Sequence, residues 1–319
     1  MDKTTLIYIV FSAVIILALI FDLGLLSKKN QAVSIKAALV QTVFWVLLSL
    51  VFCGFIWFEN EGGNGQADAI SYISAYLLEW SLSIDNIFVF IIIFSFFKVK
   101  EKNYSRVLLL GILMAIFFRI IFIAAGTRLV AQFYWIMYIF GAFLVFTGIK
   151  MFVQSDEAEF DPQHNWAFRF MKKFMRTTDE EPNGKFIIVK NKKAYFTKLA
   201  MVVVMLGLID IVFAVDSIPA VFSVIPDPAK KLLIYSSNIF AVLGLRSLFF
   251  LLKGAASKFD YLQQGIAIVL LFIGLKMLLE KWVHLPVWVS LAVIVVCITG
   301  SIVYSTYHVR KGVPKNSRD

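Results

Sequence analysis

The chain has 319 residues and is 60 % hydrophobic but only 16 % charged, with a mean hydropathy of +0.81. Because soluble domains are closer to half apolar and about a quarter charged, the composition predicts a polytopic membrane protein with the lipid bilayer as its main partner. The net charge of +10 lies mostly in short loops between apolar segments, a pattern typical of membrane orientation rather than nucleic-acid binding.

Nine apolar segments follow one another, and most have the roughly 20 residues that a helix needs to cross the hydrocarbon. Since a spanning segment must satisfy its own backbone, the sequence predicts an all-α fold with about nine transmembrane helices. The third and sixth segments are long and contain polar residues, so we expect each to be tilted or broken. The predicted boundaries are 4–26, 36–58, 71–97, 105–126, 132–153, 196–225, 231–253, 258–279 and 286–307.

Lys and Arg residues concentrate in alternate connections and in the C-terminal tail. Cytoplasmic loops carry an excess of these residues, so we predict that the basic connections face the cytoplasm. The N-terminus then lies outside and the C-terminus inside.

The only sizeable polar connection is residues 154–195, where the segment 186–196 predicts a β-hairpin around Asn191. Its acidic clusters, 156–161 and 179–181, are typical of a solvated, charge-balanced loop. A cytoplasmic metal-sensing surface is the alternative.

Spans three to five resemble spans six to eight, with the matching features in the same order. The second unit of three crossings must enter from the opposite side, which predicts an inverted repeat with a substrate site near the midplane. The matches are Glu79 and Asp85 with Asp210 and Asp216, Arg119 with Arg246, and Phe146–Met151 with Phe272–Met277. The predicted division is 1–70 for two helices, 71–153 for the first repeat, 154–195 for the loop, 196–279 for the second repeat, and 280–319 for the last helix and tail.

Four acids lie within apolar spans: Glu79, Asp85, Asp210 and Asp216. A charge at the centre of a membrane helix costs about 2.5–3.5 kcal/mol, so we expect all four to face the protein interior. Pairing with Arg119 and Arg246 alone is the structural alternative. Two arginines cannot neutralise four carboxylates, and the surplus negative charge predicts a cation site.

The available donors are carboxylates, amides, hydroxyls and backbone carbonyls, which suit Mg²⁺, Ca²⁺ or Mn²⁺. Residues six apart on a straight helix point about 120° apart, so we expect local unwinding near Ser81, Ser83 and Pro219 to aim the acids at one point. The predicted metal ligands are Glu79, Asp85, Asn86, Asp210, Asp216 and Ser217, with Arg119 and Arg246 as counter-charges. Asp22 is either an interfacial acid or part of the pathway.

The segments Glu79–Phe90, Phe140–Leu144 and Asp210–Phe222 resemble the TerC/Alx family of integral membrane proteins, within the LysE-like transporter superfamily. The resemblance is closest to the Alx branch and implies a manganese exporter in the inner membrane of a bacterium. The wider family also carries a tellurite-resistance label. Two positions depart from the family pattern: Gly207, where members often carry Glu, and Trp80, where a basic residue is common.

Three functions follow as hypotheses. The first is export of a hard divalent cation, Mn²⁺ above all, through a midplane acidic site, with or without exchange for protons. The second is a tellurite-resistance-associated protein, although an acid-lined site repels the tellurite anion. The third is a non-transporting scaffold that uses loop 154–195.

No nucleophile–base set, phosphate loop or nucleotide motif is present in the sequence, which predicts no enzymatic activity and no organic cofactor. We expect Mn²⁺ as the transported metal ion, with or without exchange for protons. The oligomeric state stays open, homo-oligomers included.

Overall fold

A computed structural model describes most of the apolar segments and part of the long polar loop. The described residues are 9, 11–20, 33–58, 65–153, 168–169, 171, 173, 175–178, 184–190, 193–253, 261–283 and 285–311.

Each of the nine predicted spans contains a helix. Six of these helices, α2, α4, α5, α6, α7 and α9, are long and apolar enough to cross a membrane, whereas α1 and α8 supply shorter apolar helices. The chain is therefore an α-helical polytopic membrane protein. The helices are α1 Phe11–Ile20, α2 Ile35–Phe58, α3 Gly65–Phe96, α4 Glu101–Gln132, α5 Ile136–Val153, α6 Lys198–Val224, α7 Lys231–Lys253, α8 Leu262–Leu279 and α9 Val287–Lys311.

The expected unwinding of the third and sixth spans is wrong. Helix α3 is continuous over 32 residues, and α6 is continuous over 27 residues with Pro219 inside it. An opened turn in lipid would leave backbone groups without water to bind. The Ser81 hydroxyl supports the helix, because it donates a 2.5 Å hydrogen bond to the Leu77 carbonyl one turn earlier.

The predicted hairpin is confirmed. Strands β1 Ile187–Lys190 and β2 Lys193–Phe196 pair antiparallel, with Ile187 opposite Phe196. Its base is tied to the start of α6, since the Thr197 hydroxyl donates to the Lys185 carbonyl at 2.7 Å. The two acidic clusters of this loop lie outside the described residues.

Contacts between helix ends show which connections share a side of the bundle. Lys230, just before α7, contacts Asp68 in the first turn of α3 at 2.5 Å. A second contact joins Tyr134, between α4 and α5, to Glu280, which directly follows α8. Burial and the nearby Glu280 carboxylate raise the pKa of the Tyr134 hydroxyl. We call the side with the Asp68–Lys230 pair the Asp68 face.

The opposite side carries a second contact between helix ends. Lys253 at the end of α7 lies 2.5 Å from Glu101 at the start of α4. We call this side the Glu101 face. Helix α3 begins at the Asp68 face, and α6 ends there because only residues 225–230 separate it from α7. The two motif-bearing helices therefore run antiparallel.

Helix α7 is the most enclosed of the six long apolar helices. Of its most apolar 18-residue stretch, 83 % of the residues are buried among its neighbours. It packs along α3 and is covered by α2 and α4, while α6 packs along α4. This arrangement places α3, α4, α6 and α7 around one shared interior.

Helices α5 and α8 cross at backbone distance. A Cβ atom added to Gly274 would lie 2.7 Å from the Gly141 carbonyl, and one added to Gly148 would lie 2.9 Å from the Ala267 carbonyl. Small residues at such crossings let membrane helices approach closely and gain packing energy.

Candidate cation site around a buried arginine

The centre of the site is the guanidinium of Arg119 on α4, which is 1 % exposed. Its Nε donates to Asp210 Oδ2 at 2.9 Å, and its Nη2 donates to Asp210 Oδ1 at 3.2 Å. This two-bond fork fixes the orientation of both planar groups. A residue of α4 is thereby joined to the motif carried by α6.

The other arm of Arg119 reaches two further helices. Its Nη1 donates to Glu79 Oε2 on α3 at 2.5 Å and to Asn238 Oδ1 on α7 at 2.8 Å. Glu79, Asp210 and Asn238 are each fully buried. Four helices therefore meet at one side chain.

This network, Glu79–Arg119–Asp210–Asn238, carries two carboxylates and one guanidinium, a formal net charge of −1. An uncompensated charge in a dry interior is strongly unfavourable. Glu79 Oε1 is buried and has no hydrogen-bond partner among the described residues.

The structure brings together only some of the predicted ligands. Glu79 and Asp210 meet at Arg119, and one arginine thus serves two of the four acids. Asn86 and Ser217 are buried, at 5 % and 2 % exposure. Among the described side chains, no group of three or more His, Cys, Asp or Glu is placed to hold a metal ion.

Three predicted acids lie outside this description. The backbones of Asp85 and Asp216 belong to α3 and α6, but their side chains are outside the described part of the chain. Asp22 is also outside the described residues. Arg246, predicted as a counter-charge, is buried on α7 with 4 % exposure. The roles of these residues as ligands and counter-charges stay predictions.

Asn238 is the member of the network that sequence reasoning missed. It follows two serines in an otherwise apolar span. An amide within a membrane helix needs polar partners, so the run Ser236–Asn238 was the available signal. Its partner on α4 lies 119 positions away, which no local pattern indicates.

The two departures from the family pattern are packing positions. A Cβ atom on Gly207 would lie 2.5 Å from the methyl carbon and 3.0 Å from the Cβ of Met114, so a larger residue there requires the Met114 side chain to move. A Cβ atom on Gly244 would lie 3.5 Å from the Trp80 indole nitrogen, so Trp80 on α3 packs against α7.

The fold and the network define an integral membrane protein whose helix bundle encloses a charged cluster, an arrangement that in membranes marks functional sites. The chain belongs to the TerC family of integral membrane proteins, because the family model described as "Integral membrane protein TerC family" matches residues 64–312.

Curated relatives cover nearly the whole chain. A protein of Salmonella typhi named "Putative membrane-bound redox modulator Alx" is 40 % identical over 303 residues, covering 93 % of this chain and 92 % of that protein. The Alx protein of Escherichia coli strain K12 is 41 % identical and covers 89 % of each chain. A Myxococcus xanthus protein named "Uncharacterized membrane protein STKORF319" is 41 % identical, covering 92 % of this chain and 90 % of that protein. No solved structure matches the chain.

Proposed function

We propose that this protein exports a hard divalent cation, Mn²⁺ above all, across the cytoplasmic membrane of a bacterium. The observation that carries the proposal is the buried network in which Glu79 and Asp210, from two different helices, share Arg119 and keep a net negative charge. Charged groups at this depth are costly, and in membrane proteins they mark ion pathways.

The exchange of protons for the metal is part of this proposal. A carboxylate that leaves Arg119 binds either a proton or a cation. A bound Mn²⁺ would be held by oxygen ligands drawn from the predicted set at Glu79, Asp85, Asn86, Asp210, Asp216 and Ser217. The proposal includes no enzymatic step and no organic cofactor.

Helix packing supports the inverted repeat on which alternating access would depend. The sequence match pairs Gly148 with Gly274, and the same offset pairs Gly141 with Ala267. When each residue is replaced by its counterpart in the other repeat, the Gly141–Gly274 contact becomes the Ala267–Gly148 contact. Both contacts are present in the structure. The same holds for whole helices, since α3 corresponds to α6 and α4 corresponds to α7. The α3–α7 pair then becomes the α6–α4 pair, and both pairs pack closely. Such exchanges are those of a two-fold axis in the membrane plane.

The redox modulation in the name of the Alx relatives is the second candidate. In this chain Cys53 on α2 and Cys297 on α9 are both free thiols. Cys53 is engaged with the Ala69 carbonyl at 3.5 Å. No described thiol pair supports electron transfer by the chain itself, so we rank cation transport first. Tellurite resistance ranks lower, since an anion is repelled by the surplus negative charge. Scaffolding ranks lower because no contact among the described residues favours it.

The test is flux of radiolabelled Mn²⁺ into proteoliposomes under an imposed pH step, with Ca²⁺, Mg²⁺ and Zn²⁺ as competitors. We expect flux from the parent protein and at least about a tenfold loss in Asp210→Asn, because a buried charged partner is worth more than 1.4 kcal/mol. The matched control is Asp227→Asn, whose carboxylate only caps the loop at Ala229 N, at 2.9 Å. Absence of flux for every divalent cation in the parent protein would refute the proposal.

A further inference from the structure

Two buried serine hydroxyls in the described part of the bundle lack the hydrogen-bond partner that the other described buried serines have. Serines inside membrane helices usually return their hydroxyl to a carbonyl three or four residues earlier. The described part of the chain holds twelve buried serines. Ten of them have a hydrogen-bond partner: Ser49, Ser71, Ser74, Ser81, Ser223, Ser236, Ser237, Ser247, Ser290 and Ser305.

The two exceptions are Ser83 on α3 and Ser217 on α6. Their Oγ atoms are buried and find no hydrogen-bond partner among the described residues, and the residues are 0 % and 2 % exposed. A buried hydroxyl without a partner costs about 1–3 kcal/mol. The acidic motif on α3 and the acidic motif on α6 each contain one such hydroxyl. This repeated cost indicates a ligand that supplies the missing hydrogen-bond or coordination contact.

The exceptions lie on opposite sides of Arg119. Ser83 follows Glu79 by four residues and Ser217 follows Asp210 by seven. At 1.5 Å of rise per residue, these offsets are about 6 Å and about 10 Å. Because α3 and α6 run antiparallel, Ser83 is displaced toward the Glu101 face and Ser217 toward the Asp68 face.

We propose that the protein has two cation subsites, one at Ser83 and one at Ser217, separated by the Arg119 network rather than merged into a single midplane site. This inference rests on the proposed function and refines it. Each hydroxyl oxygen contacts a hard divalent cation, or the water that the cation carries. Such oxygen donors suit Mn²⁺ and its neighbours.

The guanidinium between the subsites is the barrier. Although the whole network carries a net charge of −1, the guanidinium itself repels a cation that approaches it, as a buried arginine in a pore does. An ion passes only when Arg119 releases Glu79 or Asp210. The subsite at Ser83 therefore loads from the Glu101 face, and the subsite at Ser217 from the Asp68 face.

Side-specific transport tests this arrangement. Mn²⁺ uptake is measured in right-side-out and inside-out membrane vesicles for Ser83→Ala and Ser217→Ala. We expect Ser83→Ala to raise the half-saturating Mn²⁺ concentration about fivefold from the Glu101 face only, and Ser217→Ala to do so from the Asp68 face only. The matched controls are Ser81→Ala and Ser223→Ala, on the same helices, whose hydroxyls bond their own helix at Leu77 and Ala220.

Thiol labelling gives a readout that does not need transport. Ser83→Cys and Ser217→Cys are made in a Cys53→Ala, Cys297→Ala background and exposed to a membrane-impermeant thiol reagent from each face. We expect Ser83→Cys to react only from the Glu101 face and Ser217→Cys only from the Asp68 face, with Mn²⁺ slowing both reactions. Reaction from both faces, or from neither, overturns the inference.

The outcomes separate this inference from the proposed function. If the parent protein transports Mn²⁺ but both serine variants shift the two faces equally, or not at all, a single site operates and the subsites are wrong. If the parent protein transports no divalent cation, the proposed function fails and the subsites fail with it.

Discussion

Arg119 on α4 and Asp210 on α6 form a two-bond fork, with Nε to Oδ2 at 2.9 Å and Nη2 to Oδ1 at 3.2 Å. The two residues are 91 positions apart, and both are buried. The fork therefore joins α4 to α6 at the centre of the bundle.

Removal of the guanidinium should destabilise the bundle strongly. Arg119→Gln leaves the buried carboxylates of Glu79 and Asp210 without a charged partner, which costs about 3–5 kcal/mol. We expect a clearly lower midpoint in thermal unfolding of the detergent-solubilised protein. The control is Lys230→Gln, which breaks the partly exposed pair with Asp68 and should cost less than about 1 kcal/mol.

A second set of variants checks the cause of this loss. Neutralising both acids as well, in Arg119→Gln with Glu79→Gln and Asp210→Asn, should restore part of the stability, because no buried charge is then uncompensated. An Arg119→Gln midpoint equal to that of Lys230→Gln would contradict the central position of the network.

Asn238 should orient Arg119 rather than merely fill space. Asn238→Leu keeps a similar volume but removes the acceptor that lies 2.8 Å from Arg119 Nη1. The donor left without a partner should cost about 1–3 kcal/mol, measured as the shift in thermal unfolding. Ser237→Ala, next to it on α7 and bonded only to its own helix at Ile234, should change the midpoint little. Equal effects of the two variants would show that Asn238 has no special role.

The α5–α8 crossing should be intolerant of a single methyl group. A Cβ atom on Gly274 would lie 2.7 Å from the Gly141 carbonyl, so Gly274→Ala must push two backbones apart, at about 1–3 kcal/mol. Gly300→Ala is the matched control, since nothing lies within 4 Å of its Cβ position on α9. That change should be neutral or stabilising, because alanine favours helices more than glycine does. A stable Gly274→Ala would mean that the two helices do not pack this closely.

The Glu101 face should be the cytoplasmic face. The start of α4 and the end of α7 lie on it, where the described basic residues include Lys100, Lys102 and Lys253, and Lys and Arg concentrate in cytoplasmic loops. A green fluorescent protein fused at the C-terminus should fluoresce, and alkaline phosphatase fused there should be inactive. Fusions at Trp135, between α4 and α5, should give the reverse pattern. The opposite result at both positions would invert the orientation and, with it, the direction assigned to export.

Much of the architecture could be predicted from the chain alone. Apolar segments of membrane-spanning length predict helices, since no other single segment satisfies its backbone in lipid, and all nine positions contain one. The hairpin at 187–196 was also predictable, because turn and strand signals are local. The family resemblance rests on short motifs and was confirmed by the match over residues 64–312.

Local patterns failed where neighbours decide. Polar residues and Pro219 suggested broken helices, but the bundle keeps α3 and α6 continuous, because an opened turn has no water to bind in the membrane. The sequence also predicts six converging ligands, and this stays a prediction, because the side chains of Asp85 and Asp216 lie outside the described part of the chain. The structure brings Glu79 and Asp210 to one arginine, while antiparallel packing displaces the later residues of the two motifs in opposite directions.

The sequence by itself determined the positions of the apolar helices and the presence of costly charges within them, because these depend on composition and spacing. Only the tertiary structure decided which charges meet, that Asn238 takes part, and that Ser83 and Ser217 have no hydrogen-bond partner among the described residues. These contacts join residues up to 119 positions apart. They depend on how helices pack side by side, which hydrophobic periodicity and span length do not specify.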